Sequence, residues 1–244
     1  MVERKIKVLN ITPNHEIDTL KNKGNCYIAV SINNDFYQNK DKIIALLKFI
    51  KNNFSKCTIL VADYLYRHNL EIIKSDANKN LVTDTQKLGN DIIDVLESLI
   101  QGNSNFFKIT RWKDFFEYNE YEVYNKQIIE FYNSNKDFES SILTTAKIFI
   151  KRLENNNKLS GIEFKTAVRN SIEFILEEIS VFCVLANKGL NIDIYPGTYL
   201  PVLKDISLGK YPKAPIVLQN RICIEIKTVR KKPVANNGNR CTSL

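Results

Sequence analysis

Two apolar runs constrain the fold of this chain more than anything else in it. They are Cys26-Tyr27-Ile28-Ala29-Val30-Ser31-Ile32 and Cys57-Thr58-Ile59-Leu60-Val61-Ala62-Asp63, with a helix-period pattern over 40–52 between them. Short runs rich in β-branched and aromatic residues, bounded by turn residues, read as buried strands. A strand, a helix and a second strand of these lengths fit a parallel crossover unit, since parallel strands cannot be joined by a tight turn. The alternation continues with a long helix over 75–101 and a strand over 105–110. Trp112 to Phe116, 120–134, 137–154 and 162–187 then read as helical, before strands over 190–195 and 216–227. The expected fold class is α/β, a Rossmann-like, doubly wound, mainly parallel sheet with flanking helices. In such sheets ligands bind beyond the carboxyl ends of the strands. The first run ends there on Ser31, followed by the turn residues Asn33-Asn34-Asp35.

Composition sets the outer bounds. The 244 residues, 44% of them hydrophobic, suffice for one core, and a single domain is expected over 1–226. After Glu225 no acidic residue remains, whereas Lys227, Arg230, Lys231, Lys232 and Arg240 carry five of the eight net positive charges. Residues 227–244 therefore read as a flexible basic tail suited to a polyanion. No run of about 18 apolar residues appears and the N-terminal residues are charged, so a cytoplasmic protein without membrane contact is expected. Five cysteines show no Cys-x-x-Cys spacing, and the two histidines, His15 and His68, read as surface residues. No metal site or disulfide framework is indicated. Neither a Gly-rich dinucleotide fingerprint nor a P-loop is present, so no cofactor and no ATP are expected. The aromatic residues from Trp112 to Tyr132 recur at three- and four-residue spacing, which suits helix faces packed into a core.

A second segment gives Ser31 its context. It is Ser171-Ile172-Glu173-Phe174-Ile175-Leu176-Glu177-Glu178-Ile179-Ser180, followed downstream by Tyr195-Pro196-Gly197. Together with Ser31 these residues resemble the tRNA-dependent cyclodipeptide synthases, whose pattern is a serine after a hydrophobic strand, a Tyr-x-x-x-Glu pair on a helix and a later tyrosine. Tyr195-Pro196 resembles one of that family's two main subgroups. Further resemblance lies in Val61-Ala62-Asp63 with Arg67, in Gly89-Asn90, in Arg111-Trp112-Lys113-Asp114 and in Phe138. Three positions depart from the pattern: Cys26 stands where the family often has His, Ala29 where it usually has Gly, and Phe174 where it has the first Tyr. The resemblance implies a fold similar to the catalytic domain of class I aminoacyl-tRNA synthetases. It also implies two aminoacyl-tRNAs as substrates, with no DNA partner.

What the resemblance implies for chemistry is acyl transfer without ATP, because an aminoacyl-tRNA is already an activated ester. Ser31 would be the nucleophile, forming first an aminoacyl-enzyme and then a dipeptidyl-enzyme that closes to a 2,5-diketopiperazine. Glu178 would hold and deprotonate the substrate amine, Tyr195 would relay a proton, and Asn34 would fix the serine loop. Tyr27, Ala29, Phe174 and Pro196 would shape the substrate pocket. Glu173 and Glu177 read as a solvated pair, so that Glu177→Gln is expected to be nearly silent. The helix over 75–101 carries Asp76, Asp84, Asp91, Asp94 and Glu97 against Lys79 and Lys87, so RNA attraction is expected from the basic tail instead. The alternatives are a non-catalytic tRNA-binding module of the same fold, a serine esterase, for which Gly-x-Ser-x-Gly is absent, and a synthetase fragment, for which His-x-Gly-His is absent. Which amino acids would be joined, and the oligomeric state, are open at this stage.

Overall fold

The computed structural model describes residues 3–20, 24–74, 80–159 and 161–230. Strand β2 (Asn25–Val30) holds five consecutive buried residues, so it must be covered on both faces. Around it the chain builds a six-stranded sheet in the order β1-β6-β5-β2-β3-β4. The other strands are β1 (Arg4–Thr12), β3 (Lys56–Val61), β4 (Phe107–Arg111), β5 (Ile192–Pro196) and β6 (Ile222–Arg230). All neighbours pair in parallel except β1 with β6. The chain moves outward from β2 through β3 to β4, then returns to the far side of β2 for β5 and β6. The order therefore reverses between β2 and β5, the switch point where a doubly wound sheet opens its ligand crevice. The fold class is the one expected.

Helices α1 (Ile17–Leu20), α2 (Lys40–Asn53), α3 (Arg67–Ile73), α4 (Leu81–Ile100), α5 (Asn119–Ser134), α6 (Lys136–Asn155), α7 (Phe164–Asn187) and α8 (Pro201–Ser207) surround the sheet, with 3-10 turns at Trp112–Glu117 and Ile216–Asn220. Alternation along β2 divides its side chains between two cores. Cys26, Ile28 and Val30 pack with the α2 and α4 side chains Ile43, Leu46 and Leu96, while Tyr27 faces the α7 residues Val181, Phe182 and Leu185. Trp112, Phe115 and Phe131 are buried in that second core, and Tyr121, Tyr124 and Tyr132 pack against it.

The ends of the sheet differ from expectation. The charged stretch Arg4–Thr12 forms β1, whose Lys5 and Lys7 are exposed while Ile6 and Val8 are partly buried. That is how an edge strand blunts itself. Strand β6 runs to Arg230, with Lys227 opposite Lys7 and Arg230 opposite Arg4. The boundary expected at 226/227 thus falls inside a strand, because a strand beside a solvated edge accepts lysine and arginine on its open side; residues 231–244 lie outside the described residues. Residues 216–220 form a 3-10 turn and not the start of a strand. The expected helix over 75–101 begins at Leu81, capped by the Asn80 side chain, which accepts from the Thr83 amide. No helix among the described residues is long and apolar enough to cross a membrane.

Candidate active site

Ser31 lies immediately beyond β2, at the switch point, on a loop held from several directions. The Asn34 amide donates to the Ser31 carbonyl (3.2 Å), and the Asn34 side chain accepts from the Phe36 amide (2.9 Å). The Tyr37 hydroxyl donates back to the Ala29 carbonyl (3.3 Å), and Asn39 caps α2 by accepting from the Lys42 amide (3.1 Å). Asn and Tyr side chains therefore fix this turn by hydrogen bonds to backbone.

Helix α7 presents two neighbouring carboxylates to two different environments, since successive side chains point about 100° apart. Glu177 is buried. It accepts from Arg67 through both oxygens (2.9 and 2.5 Å), from the Trp112 indole (3.0 Å) and from His68 Nε2 (3.1 Å). Burial pushes its carboxyl up, but the hydrogen bonds from His68 and Arg67 outweigh burial and leave it below the usual glutamate value. Glu177 is thus not part of a solvated pair; Glu173 alone is exposed, at 54% of its side chain. His68 is likewise buried, with its ring 6.5 Å from that of Phe174, and is not the surface residue expected. His68 does not line the cavity that holds Ser31, so it is not placed as the base of an esterase triad. The sequence hid both residues because Glu177 is met by Arg67, His68 and Trp112 from distant elements.

Glu178 faces the other way, into a cavity of about 620 Å³. Its Oε2 is enclosed and without a hydrogen-bond partner among the described residues. Burial pushes the carboxyl up to about 8, with Arg221 opposing and Asp193 adding to the rise. Tyr195, on β5, lines the same cavity. Its hydroxyl is raised by burial and by the Glu178 charge, while a hydrogen bond with Asn34 opposes the rise. Gly197 follows at φ +142°, with its amide on the Ile226 carbonyl (3.2 Å); a Cβ there would stand 3.2 Å from the Tyr195 ring. Glycine lets the chain turn without moving the tyrosine.

Beneath Tyr195 lies a buried polar layer that the sequence reading missed. The Tyr27 hydroxyl donates to Asp193 (3.0 Å) and accepts from Arg221 Nε (3.0 Å), and Arg221 also pairs with Asp193. The Arg221 guanidinium stacks 4.0 Å over the Phe182 ring. Tyr27 is therefore not a pocket wall. It is the neighbour of Asp193 across the β2/β5 ladder, four residues below Ser31, and its hydroxyl is held inside this layer. The signal was present in Ile192-Asp193-Ile194-Tyr195, where an acid shares the face of the tyrosine.

Ser31, Ala29, Asn34, Phe174, Glu178 and Tyr195 all line the cavity, whereas Tyr27 and Pro196 do not. Pro196 is buried on β5, opposite Ile226 of β6. The exposed Arg152 and Lys158 also line the cavity, adding positive charge that the sequence reading did not single out. A second cavity of about 520 Å³, between β1 and α2, holds none of the expected site residues. Behind the site, the dispersed motif residues meet. Asp63 pairs with Arg111 (2.5 Å), Arg111 reaches Asn90, and Gly89 passes so close to Asp63 that a Cβ would lie 2.7 Å from its side chain. Asp114 accepts from Thr110 (3.0 Å) and from the Arg111 amide (2.9 Å).

No protein-family model and no curated protein matches the sequence. Solved structures do match. A cyclodipeptide synthase from Fluoribacter dumoffii superimposes with a TM-score of 0.77 at 20% identity, covering 93% of this chain and 100% of that one. A cyclodipeptide synthase from Candidatus Glomeribacter gigasporarum, solved bound to Phe-tRNAPhe, gives 0.64 at 17% identity over 92% of this chain and 95% of its own. A Mycobacterium tuberculosis protein, described as showing that these enzymes are related to type I tRNA synthetases, gives 0.63 at 12% identity over 95% of both chains.

Proposed function

We propose that this chain, which has the fold of the cyclodipeptide synthases, is itself an aminoacyltransferase that makes a 2,5-diketopiperazine from two aminoacyl-tRNAs. The observation that carries this reading is the meeting of Ser31, Glu178 and Tyr195 in one cavity at the switch point, with Oε2 of Glu178 enclosed and its carboxyl raised to about 8. A carboxyl near neutrality exchanges protons with an amine better than an ordinary glutamate would.

In the first step the Ser31 oxygen bonds to the ester carbonyl of one aminoacyl-tRNA, the bond to the ribose oxygen breaks, and the serine proton passes to that leaving oxygen. The amine of the second aminoacyl-tRNA, deprotonated by Glu178, then attacks the Ser31 ester, forming a peptide bond and breaking the bond to serine. The regenerated Ser31 attacks the remaining tRNA ester, yielding a dipeptidyl-enzyme. Its free amine closes the ring and releases the serine. Tyr195, close to Asn34 and Glu178, relays the protons. Each transfer replaces one ester by another or by an amide, so no ATP is consumed. The covalent link makes ring closure intramolecular.

At the cavity mouth, Arg152 and Lys158 meet the phosphates of the acceptor end, and the basic tail adds longer-range attraction. On this reading the work belongs to the cytoplasm, where charged tRNA is. The test is incubation of the purified chain with charged tRNA and mass spectrometry of the small molecules released. A diketopiperazine formed without ATP is the expected product; its absence from every tRNA tested would overturn the reading.

A further inference from the structure

The floor of the cavity is polar where a pocket for apolar side chains would be greasy. Asp193 and Tyr199 line it, and both are buried, at 1% and 5% exposure. Asp193 Oδ2 is taken by Tyr27 and Arg221, but Oδ1 has no partner among the described residues, nor has the Tyr199 hydroxyl. The hydroxyl lies close to Asp193, whose carboxyl burial pushes up against the opposing Arg221 charge, yet outside hydrogen-bond geometry. Buried polar atoms in native proteins are nearly always satisfied, and each left bare is costly. Something that enters this cavity completes them.

We propose that the Asp193–Tyr199 floor selects an aminoacyl group whose long side chain ends in a neutral hydrogen-bond donor, a hydroxyl or an amide. The inference rests on the aminoacyl-transfer reading and names the substrate class of that site. Reach sets the length. Asp193 is level with Tyr27 across the ladder, and four residues of strand separate Tyr27 from Ser31, about 13 Å at the usual rise. An acyl group held on Ser31 reaches toward that depth only with a long side chain, tyrosine further than glutamine. Charge sets the neutrality. The buried Arg221 already balances Asp193, so a second cation would be stripped of water for little return. Oδ1 accepts the donor, and Tyr199 can donate to the same group's oxygen.

A site built to hydrogen-bond a substrate hydroxyl or amide rejects the analogue that lacks it far more strongly than an apolar pocket rejects a methylene. One tRNA body acylated in turn with tyrosine, phenylalanine, glutamine and methionine isolates the side chain from the RNA. Diketopiperazine release and acyl transfer to the protein should favour tyrosine over phenylalanine, or glutamine over methionine, by at least about 100-fold. Diketopiperazine formed without such a preference leaves aminoacyl transfer standing and overturns the floor's role. No product from any of the four removes both. The triple variant Tyr27→Phe/Asp193→Leu/Arg221→Leu replaces the whole buried layer by apolar groups, a change that buried ion pairs often tolerate. Checked for folding by thermal unfolding, it should reverse the preference toward phenylalanine or methionine. A folded triple variant that keeps the wild-type order contradicts the proposal, and if it does not fold, the wild-type ratios decide.

Discussion

The two adjacent carboxylates of α7 should separate stability from turnover. Glu177→Gln keeps one acceptor oxygen, enough for Trp112 and one arm of Arg67 at the Oε1 position, but sets an amide nitrogen against the second arm. It also removes the charge opposite a guanidinium in a site where the carboxylate is 9% exposed. Losing one hydrogen bond to a charged group costs about 1.5–3 kcal/mol, and the unbalanced guanidinium brings the total to about 3 kcal/mol. In a chain of this size that is a fall in Tm of roughly 6–12 °C. Glu178→Gln replaces a carboxyl whose ionisation burial opposes by an isosteric neutral group, so its stability should match wild type below about pH 4.5 and exceed it at neutral pH, while product formation is lost. The pH dependence has opposite signs. Glu177, held below its ordinary value, contributes stability that is present above about pH 4.5 and lost as pH falls through its folded pKa, so Glu177→Gln converges on wild type in acid. Glu178, raised to about 8, makes wild type lose stability relative to Glu178→Gln as pH rises from about 4.5 to 8. Urea unfolding at several pH values, beside product assays, reads all of this. A stable Glu177→Gln with an unstable Glu178→Gln would refute the assignment.

Three further outcomes are expected. Turnover should rise with pH through an apparent pKa near 8 as Glu178 becomes the free base; a flat profile between pH 6 and 9 in single-turnover assays would exclude it as the proton acceptor. Arg152→Ala/Lys158→Ala should weaken tRNA binding and lower the slope of log affinity against log salt by about 2 without moving Tm, as fluorescence titration at several ionic strengths would show. Gly89→Ala, a change that usually stabilises a helix, should instead cost about 1–3 kcal/mol in denaturant titration, because its methyl would meet Asp63 at 2.7 Å.

Strand β2, the helix that follows it and the placing of Ser31 were legible because an apolar run ending in turn residues has few structural readings. Ala29, Asn34, Phe174, Glu178 and Tyr195 shared that legibility, since their spacings on one strand, loop or helix put them on definable faces. Glu177 and His68 were misread because local sequence cannot show that Arg67, His68 and Trp112, 110, 109 and 65 residues away, converge on Glu177. Tyr27 was placed on the correct face but not at the correct depth, which depended on Arg221, 194 residues later. β1 was not legible because its charged residues Arg4, Lys5 and Lys7 mark a sheet edge only once β6 lies beside them.

That Ser31 carries the acyl group is tested most directly by the mass of the protein itself. Wild type mixed with one charged tRNA and quenched in acid should gain one aminoacyl residue, and digestion should place that mass on the peptide containing Ser31. Ser31→Ala, folded as judged by an unchanged Tm, should gain nothing and release no diketopiperazine. An acyl mass on another residue, or product from the alanine variant, would contradict the serine ester as the intermediate.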